Sequence, residues 1–293
     1  MHSLLWALLA CSTTAPVEAT LEPEAVVAEA PAPQPAARLE RVVAVGDLHA
    51  DLDQALAVLQ MAGVVDASGQ WSGGTDTLVQ TGDTTDRGPD SKEVIQLMAQ
   101  LEQQAEAAGG RVVALLGNHE VMNLVGDWRY VSEGDLADYG GSVEVRETAF
   151  GPEGEEGSWL RKHGVVAVVD RVAYAHGGIT AEWARKGVDA INATPYPQLG
   201  SDSPIWYRGF ILDPEPTICR ALEDSLVELS ADRMVMGHTT QNSGRILSRC
   251  QGRILGIDTG ISSHYGGNLA ALELRSGDAW ALYVTGPEDL PDP

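Results

Sequence analysis

Three short apolar runs in the first half of the chain each break off into a charged, glycine-bounded signature. RVVAV (41–45) runs into Gly46-Asp47-Leu48-His49-Ala50-Asp51. DTLVQ (76–80) runs into Gly82-Asp83-Thr84-Thr85-Asp86-Arg87-Gly88, and RVVALL (111–116) into Gly117-Asn118-His119-Glu120. Aliphatic, β-branched runs of this length read as buried strands. Helical patterns lie between them. Leu52, Leu56, Leu59 and Gly63 recur at helical spacing, and a second helix is expected from Pro89 to the Gly109-Gly110 stop. Pro89 is expected at the first helical position, where its missing N–H costs nothing. Strand, helix, strand, helix, strand implies crossover connections. In such sheets ligands gather at the carboxyl ends of the strands, so the three signatures should surround one point.

The pattern changes after the third signature. Residues 126–163 are polar and glycine-rich and read as an insertion with at most short helices. Two strands, GVVAVVD (164–170) and VAYA (172–175), follow, then a helix near 180–187, a proline-rich loop (195–216) and a helix at about 217–230. Short apolar runs at 232–237, 245–248, 253–258, 268–275 and 279–285 make the second half read as mostly β meander. A hydrophobic content of 44% supports a sizeable core. The expected fold class is α/β, with two mixed β-sheets packed together and flanked by helices (αββα), over residues 39–293.

Ahead of this domain, Leu4 to Ala10 is apolar and ends at Cys11. A short apolar segment before a small residue is a secretory signal, and a small residue followed by Cys resembles the bacterial lipobox. Residues 1–11 are therefore expected to be a lipoprotein-type signal with Cys11 acylated. The apolar stretch is shorter than the roughly 20 residues that span a bilayer. The Ala/Pro/Glu-rich stretch 12–38 reads as a disordered tether. The expected location is the bacterial cell envelope, lipid-anchored or periplasmic, with the membrane as partner through that anchor. Cys219 and Cys250 could pair in such an oxidising compartment, provided their Cα atoms are close enough. The net charge of −23 repels nucleic-acid backbones, so no nucleic-acid partner is expected. A small anionic substrate is compatible with it if the site is locally cationic.

Two later strands repeat the device of the first three. VAYA ends in His176-Gly177-Gly178, and MVM in Gly237-His238-Thr239. Asp47, His49, Asp83, Asn118, His176 and His238 form an O/N donor set that suits Mn, Fe or Zn. Six donors exceed what one ion with open positions needs. Two ions bridged by a carboxylate, roughly 3.5–4 Å apart, would use them and stabilise both oxygens of a phosphoryl displacement.

The ordered set GDLHAD, GDTTDRG, GNHE, HGG and GHT resembles the calcineurin-like metallophosphoesterases, in the phosphoprotein-phosphatase branch, over about 41–285. GDWRYV (126–131), PIWYRGF (204–210), GHTTQ (237–241) and IDTGISSHYGG (257–267) are similar to the Shewanella-like protein phosphatases. The resemblance implies a dinuclear-metal phosphomonoesterase. In it Asp47, His49 and Asp83 bind one ion, and Asp83, Asn118, His176 and His238 the other, with Asp83 as bridge. A metal-bridging hydroxide attacks phosphorus directly. His119 protonates the leaving oxygen, Asp86 orients His119, and Arg87 and Arg208 clamp the phosphate. Tyr265 sits on the substrate rim. The implied substrate is a phosphoprotein, carrying phosphotyrosine or phosphoserine/threonine. Two alternatives are a phosphatase of small molecules, dinucleoside polyphosphates included, and, in another class, a non-catalytic metal-binding lipoprotein. Ala50 departs from the glycine of the pattern and is tolerable if the position does not require positive φ. Glu120 is expected to bond loop backbone, and His163 and His264 to be ordinary surface residues. The insertion should form part of the wall over the site, with Arg129, Arg146, Arg161 and Lys162 in a solvated loop.

Overall fold

The computed structural model describes residues 41–293. The expectations placed on the signal at 1–11, on Cys11 and on the tether at 12–38 fall outside the described residues. The first half runs β1 (Arg41–Val45), α1 (Leu52–Met61), β2 (Thr77–Gln80), α2 (Ser91–Ala107), β3 (Arg111–Ala114) and α3 (Asn118–Leu124). The insertion contributes only α4 (Glu133–Ala137), α5 (Val143–Ala149) and α6 (Glu155–Leu160). Then come β4 (Val166–Val169), β5 (Val172–Ala175), α7 (Ala181–Ala184), α8 (Val188–Asn192), α9 (Gly209–Leu212) and α10 (Glu215–Leu229). The chain ends with β6 (Arg233–Met236), β7 (Leu247–Arg249), β8 (Ile254–Gly256), β9 (Ala270–Arg275), β10 (Asp278–Tyr283) and β11 (Gly286–Leu290).

Two mixed sheets result, in the orders β11-β10-β9-β1-β2-β3 and β4-β5-β6-β8-β7. Side chains alternate across a strand, and here both faces are buried. Val42 and Ala44 of β1, Tyr174 of β5 and Val235 of β6 join one apolar layer. Val43, Val45, Ala173, Met234 and Met236 join the other, which includes Val58 and Leu59 of α1, Met98 of α2 and Leu222 of α10. The first layer lies between the sheets and the second under the helices, which is the expected αββα sandwich. The central strands are apolar through their middles, with Arg41, Gln80 and Arg233 only at their ends, because neither face meets water.

Several local expectations change. Gly63 is not part of the apolar stripe of α1. It has φ +70°, and with Val64 N–H donating to Leu59 O (3.1 Å) it ends the helix in a left-handed cap. Pro89 precedes α2, whose N-cap is Asp90. The second half is not mostly meander. β6 runs parallel to both β5 and β8, and α7 to α10 occupy the crossover between β5 and β6. Only β9, β10 and β11 form a meander, and β9 lies antiparallel to β1 in the first sheet. The expected helix near 180–187 divides into α7 and α8, and α9 interrupts the proline-rich loop. Cys219 in α10 and Cys250 after β7 form a disulfide across a Cα–Cα distance of 5.4 Å.

Ala50 sits at φ +52° and is buried. Its N–H donates to Thr84 O (2.8 Å) and its carbonyl accepts from Asp90 N–H (2.9 Å), so the conformation is held from both sides. The condition for tolerating alanine there is therefore not met. A left-handed non-glycine residue costs roughly 1–2 kcal/mol, while glycine returns roughly 0.4–1 kcal/mol of chain entropy to the unfolded state. Ala50→Gly is expected to stabilise the fold by roughly 0.5–1 kcal/mol. The check is a rise in the urea midpoint at unchanged m-value.

Candidate dinuclear metal centre

The carboxyl ends of β1, β2, β3, β5 and β6 converge on one cavity of about 180 Å³. The turns that leave these strands are unusually bent. His49, Asp83, Asp86, Arg87 and His238 all have φ between +46° and +75°. Such strain at a cluster of non-glycine residues persists only where the surroundings over-determine it. One carboxylate supplies much of that restraint. Glu120 is fully buried, and its Oε2 accepts from Asp83 N–H (2.7 Å) and Gly117 N–H (2.7 Å). Its Oε1 accepts from the backbone and hydroxyls of Thr84 and Thr85 at 2.7–3.1 Å. Glu120 thus ties the loop after β2 to the start of α3, as expected from the sequence. Gly117 has no room for a side chain, because a Cβ would strike Asp83 Oδ1.

The six expected donors come together here. Two overlapping groups of ligand atoms each lie within 4.8 Å, one of His49 and Asp83 with His119, which is not among the six, and one of Asp83, His176 and His238, while Asp47 lies 3.9 Å from His49 Nε2 and Asn118 3.0 Å from His176 Nε2. Asp83 is common to both, which suits a bridge. His176 Nδ1 faces Thr81 O at 3.0 Å and therefore carries the proton. Its Nε2 then points an electron pair at Asp83 Oδ2 (3.1 Å) and Asn118 Oδ1 (3.0 Å), both acceptors themselves. His49 repeats this. Nδ1 faces Thr85 O at 3.3 Å, and Nε2 lies 3.7 Å from Asp83 Oδ2 and 3.9 Å from Asp47 Oδ2. His238 Nε2 is buried with no hydrogen-bond partner among the described residues. Converging electron pairs of this kind are stabilised by a cation and fit a metal centre.

The electrostatics agree. Burial lowers His49 to about 3, with the neighbouring His119 adding to the effect. Burial, then His176 and Arg208, also push His238 well down. Both rings are therefore neutral, the state a metal ligand needs. Burial opposes ionisation of Asp83, yet positive charge on the His176 and His119 rings holds it well below the usual carboxylate range, a part that a cation would take over where His176 is neutral. Asp47 is raised by burial and by the charges of Asp258 and Asp83, although His238 N–H donates to it at 3.2 Å. A cation would relieve that repulsion.

His119 is near the ligands but differently held. Its Nδ1 lies 2.7 Å from Asp86 Oδ2, leaving Nε2 on the cavity side, 3.9 Å from Asp83 Oδ2. Burial alone would lower His119, but the charges of Asp83 and Asp86 raise it above its ordinary value. Arg87 and Arg208 line the same cavity. Arg87 lies over the Tyr130 ring at 3.9 Å, and Arg208 donates to the His238 carbonyl and to Thr239 Oγ1 (3.3 Å). Tyr265 is at the rim, its ring 4.8 Å from that of His49.

Other residues of the cavity lie within the quoted motifs, but the sequence assigned them no role. Tyr130, Trp206 and Thr240 line it, and Asp258 is buried behind Asp47. Tyr130 comes from the insertion, which therefore does form part of the wall. The expectation of a solvated loop holds for Arg129, exposed and paired with Asp127, and for exposed Lys162. It fails for Arg146, which is 1% exposed, and for Arg161, which donates to Phe150 O and Gly157 O. His163 is also not a surface residue. It packs on Trp159 at 4.2 Å and contacts Glu102 Oε1 at 2.6 Å, whereas His264 is exposed.

The fold and these converging strand ends define a metal-dependent phosphoesterase, and the calcineurin-like phosphoesterase family model matches residues 40–242. The chain belongs to that family of hydrolases. Within it the chain is similar to Shewanella-like protein phosphatase 2 of Arabidopsis thaliana, 30% identical over 85% of this chain and 78% of that protein. It is 41% identical to an uncharacterised Schizosaccharomyces pombe protein over 81% of this chain and 78% of the other. The crystal structure of a cold-active protein-tyrosine phosphatase from a psychrophilic Shewanella species superposes with a TM-score of 0.76. That likeness has 31% identity and covers 86% of this chain and 81% of that one.

Proposed function

We propose that this chain is a dinuclear-metal phosphomonoesterase that acts on phosphoproteins and prefers phosphotyrosine. One ion would be held by Asp47, His49 and Asp83, and the other by Asp83, Asn118, His176 and His238. When bound, the ions supply the Lewis acidity that polarises a phosphate ester and acidifies water. The donor set suits Mn, Fe or Zn. Arg87 and Arg208 present guanidinium forks to the phosphoryl oxygens and hold the charge that develops on them. His119, held through Nδ1 by Asp86, gives its Nε2 proton to the leaving oxygen.

The observation that carries the reading is the joint placement of His119 on Asp86 and of two arginines around one cavity. Tyr130, Trp206 and Tyr265 surround these groups and favour an aryl ester by ring packing. The name of the Shewanella structure supports the same preference. The test is phosphate release from phosphotyrosine, phosphoserine and phosphothreonine peptides alongside dinucleoside polyphosphates. Phosphotyrosine peptides are expected to lead, with activity abolished by EDTA and restored by Mn²⁺. Dominant turnover of nucleotides would replace the protein-phosphatase reading, and EDTA-resistant turnover would remove the metals from it. Anchoring at the cell envelope through Cys11 belongs to the same proposal and rests on the Leu-Leu-Ala-Cys sequence. A soluble product with unmodified Cys11 would remove that part.

A further inference from the structure

We infer that Arg146 and Asn123 are positioning residues for the leaving-group proton, so that the insertion sets the acid as well as walling the site. This rests on the reading of His119 as the acid. Asp86 is fully buried and uses both oxygens. Oδ2 faces His119, and Oδ1 accepts from Asn123 Nδ2 at 3.0 Å. Asn123 is held in turn, since its Oδ1 accepts from Arg146 Nη1 at 2.5 Å. Arg146 Nη2 lies 3.9 Å from Asp86 Oδ1, and Nε donates to Asp135 Oδ2 at 2.8 Å. Asp135 Oδ1 accepts from Ser91 N–H at 3.2 Å, and Ser91 Oγ accepts from Asp86 N–H at 3.3 Å. The contacts close a ring that starts and ends on Asp86.

The ring unites the loop after β2, α2, α3, and α4 and α5 of the insertion. Arg146 is the one cation in it and serves two buried carboxylates. Its guanidinium lies 4.1 Å from the Phe150 ring and 5.1 Å from that of Trp128, a site shaped to the planar group. A rotation of the Asp86 carboxylate would break the Asn123 bond and weaken the ion pair. Asp86 is therefore fixed in the orientation that presents His119 to the cavity. Every residue of the ring is hydrogen-bonded on both sides, and Arg146 Nη2, which has no hydrogen bond, is left to pair by charge with Asp86, so the ring resists such a rotation. Burial of an arginine solely for stability is poorly rewarded, since well-packed apolar residues serve as well.

The test compares leaving groups on metal-loaded enzyme. Dinitrophenolate departs without a proton, whereas phenolate needs one. General acids contribute about 10²–10⁴-fold where they are needed. The reference is His119→Asn, expected to lose at least about tenfold more kcat on phenyl phosphate than on 2,4-dinitrophenyl phosphate. Asn123→Ala and Arg146→Met are expected to show the same bias, at about fivefold or more, with KM changed by less than about twofold. Arg146→Lys should recover part of it. Equal losses on both substrates, or no bias in Asn123→Ala, overturn the inference while His119 keeps its role. Absence of bias in His119→Asn overturns the role of His119 instead. Should Arg146→Met fail to fold, Asn123→Ala decides, because it leaves the Arg146–Asp135 pair in place.

Discussion

Asp83→Asn is expected to lower kcat/KM by about 10³-fold or more, on the order of 4 kcal/mol of transition-state stabilisation. The same change should reduce bound metal from two ions to at most one. Asp83 is the only residue common to both donor groups. Its Oδ2 faces His176 at 3.1 Å and His49 at 3.7 Å, while Oδ1 accepts from His119 N–H at 3.0 Å. An amide keeps the shape but removes the charge that the neutral imidazoles cannot supply. It also places an N–H₂ group either where a cation would need an oxygen ligand or against the donating His119 N–H. Elemental analysis beside steady-state kinetics checks both parts. A variant that retains two ions and a rate within about tenfold of wild type would remove Asp83 from the bridging position.

Glu120→Ala should act on the fold. Glu120 accepts six hydrogen bonds, all from buried groups of Gly117, Asp83, Thr84 and Thr85. Buried donors left without a partner cost about 1–3 kcal/mol each, and the terms overlap within one network. The expected loss of unfolding free energy is at least about 3 kcal/mol, a large part of the roughly 5–15 kcal/mol that holds a domain together. Urea titration of the purified variant measures it. A loss below about 1 kcal/mol would mean that the loop after β2 holds its left-handed turns by other contacts.

The convergence of the expected donors and of His119 on one cavity was legible because each follows an apolar strand within a few residues. Asp47 follows β1, Asp83 follows β2, Asn118 and His119 follow β3, His176 follows β5 and His238 follows β6. Local pattern carries that information, and strand ends in one sheet system are brought together by topology. Partners set by distant chain were not legible in this way. Arg146 looked like one more charge in a polar segment, and only tertiary packing shows it facing Asp86 and Asp135. Tyr130 gave no periodic signal, since its position depends on Arg87 N–H donating to its carbonyl (3.0 Å). Ala50 hid its backbone state, because alanine rarely adopts φ +52° and here does so under tertiary constraint. The second sheet was misjudged as meander for a related reason. Helices were expected between β5 and β6, but short strands at close spacing do not reveal that β6 pairs parallel with both β5 and β8.

The antiparallel pairing of Arg41 with Arg275 bears on how the chain is made. β1 carries Asp47 and His49 at its end, yet its neighbour β9 is translated only after every expected metal donor, His238 included, has been polymerised. Until Ala270–Arg275 emerges, one edge of β1 has no partner and the apolar layer between the sheets is incomplete. Nascent chains with open strand edges and long-range pairings fold slowly and associate with one another. The strand that carries Asp47 and His49 therefore gains its second neighbour later than any of the candidate donors is made, and completion of their setting waits on β9.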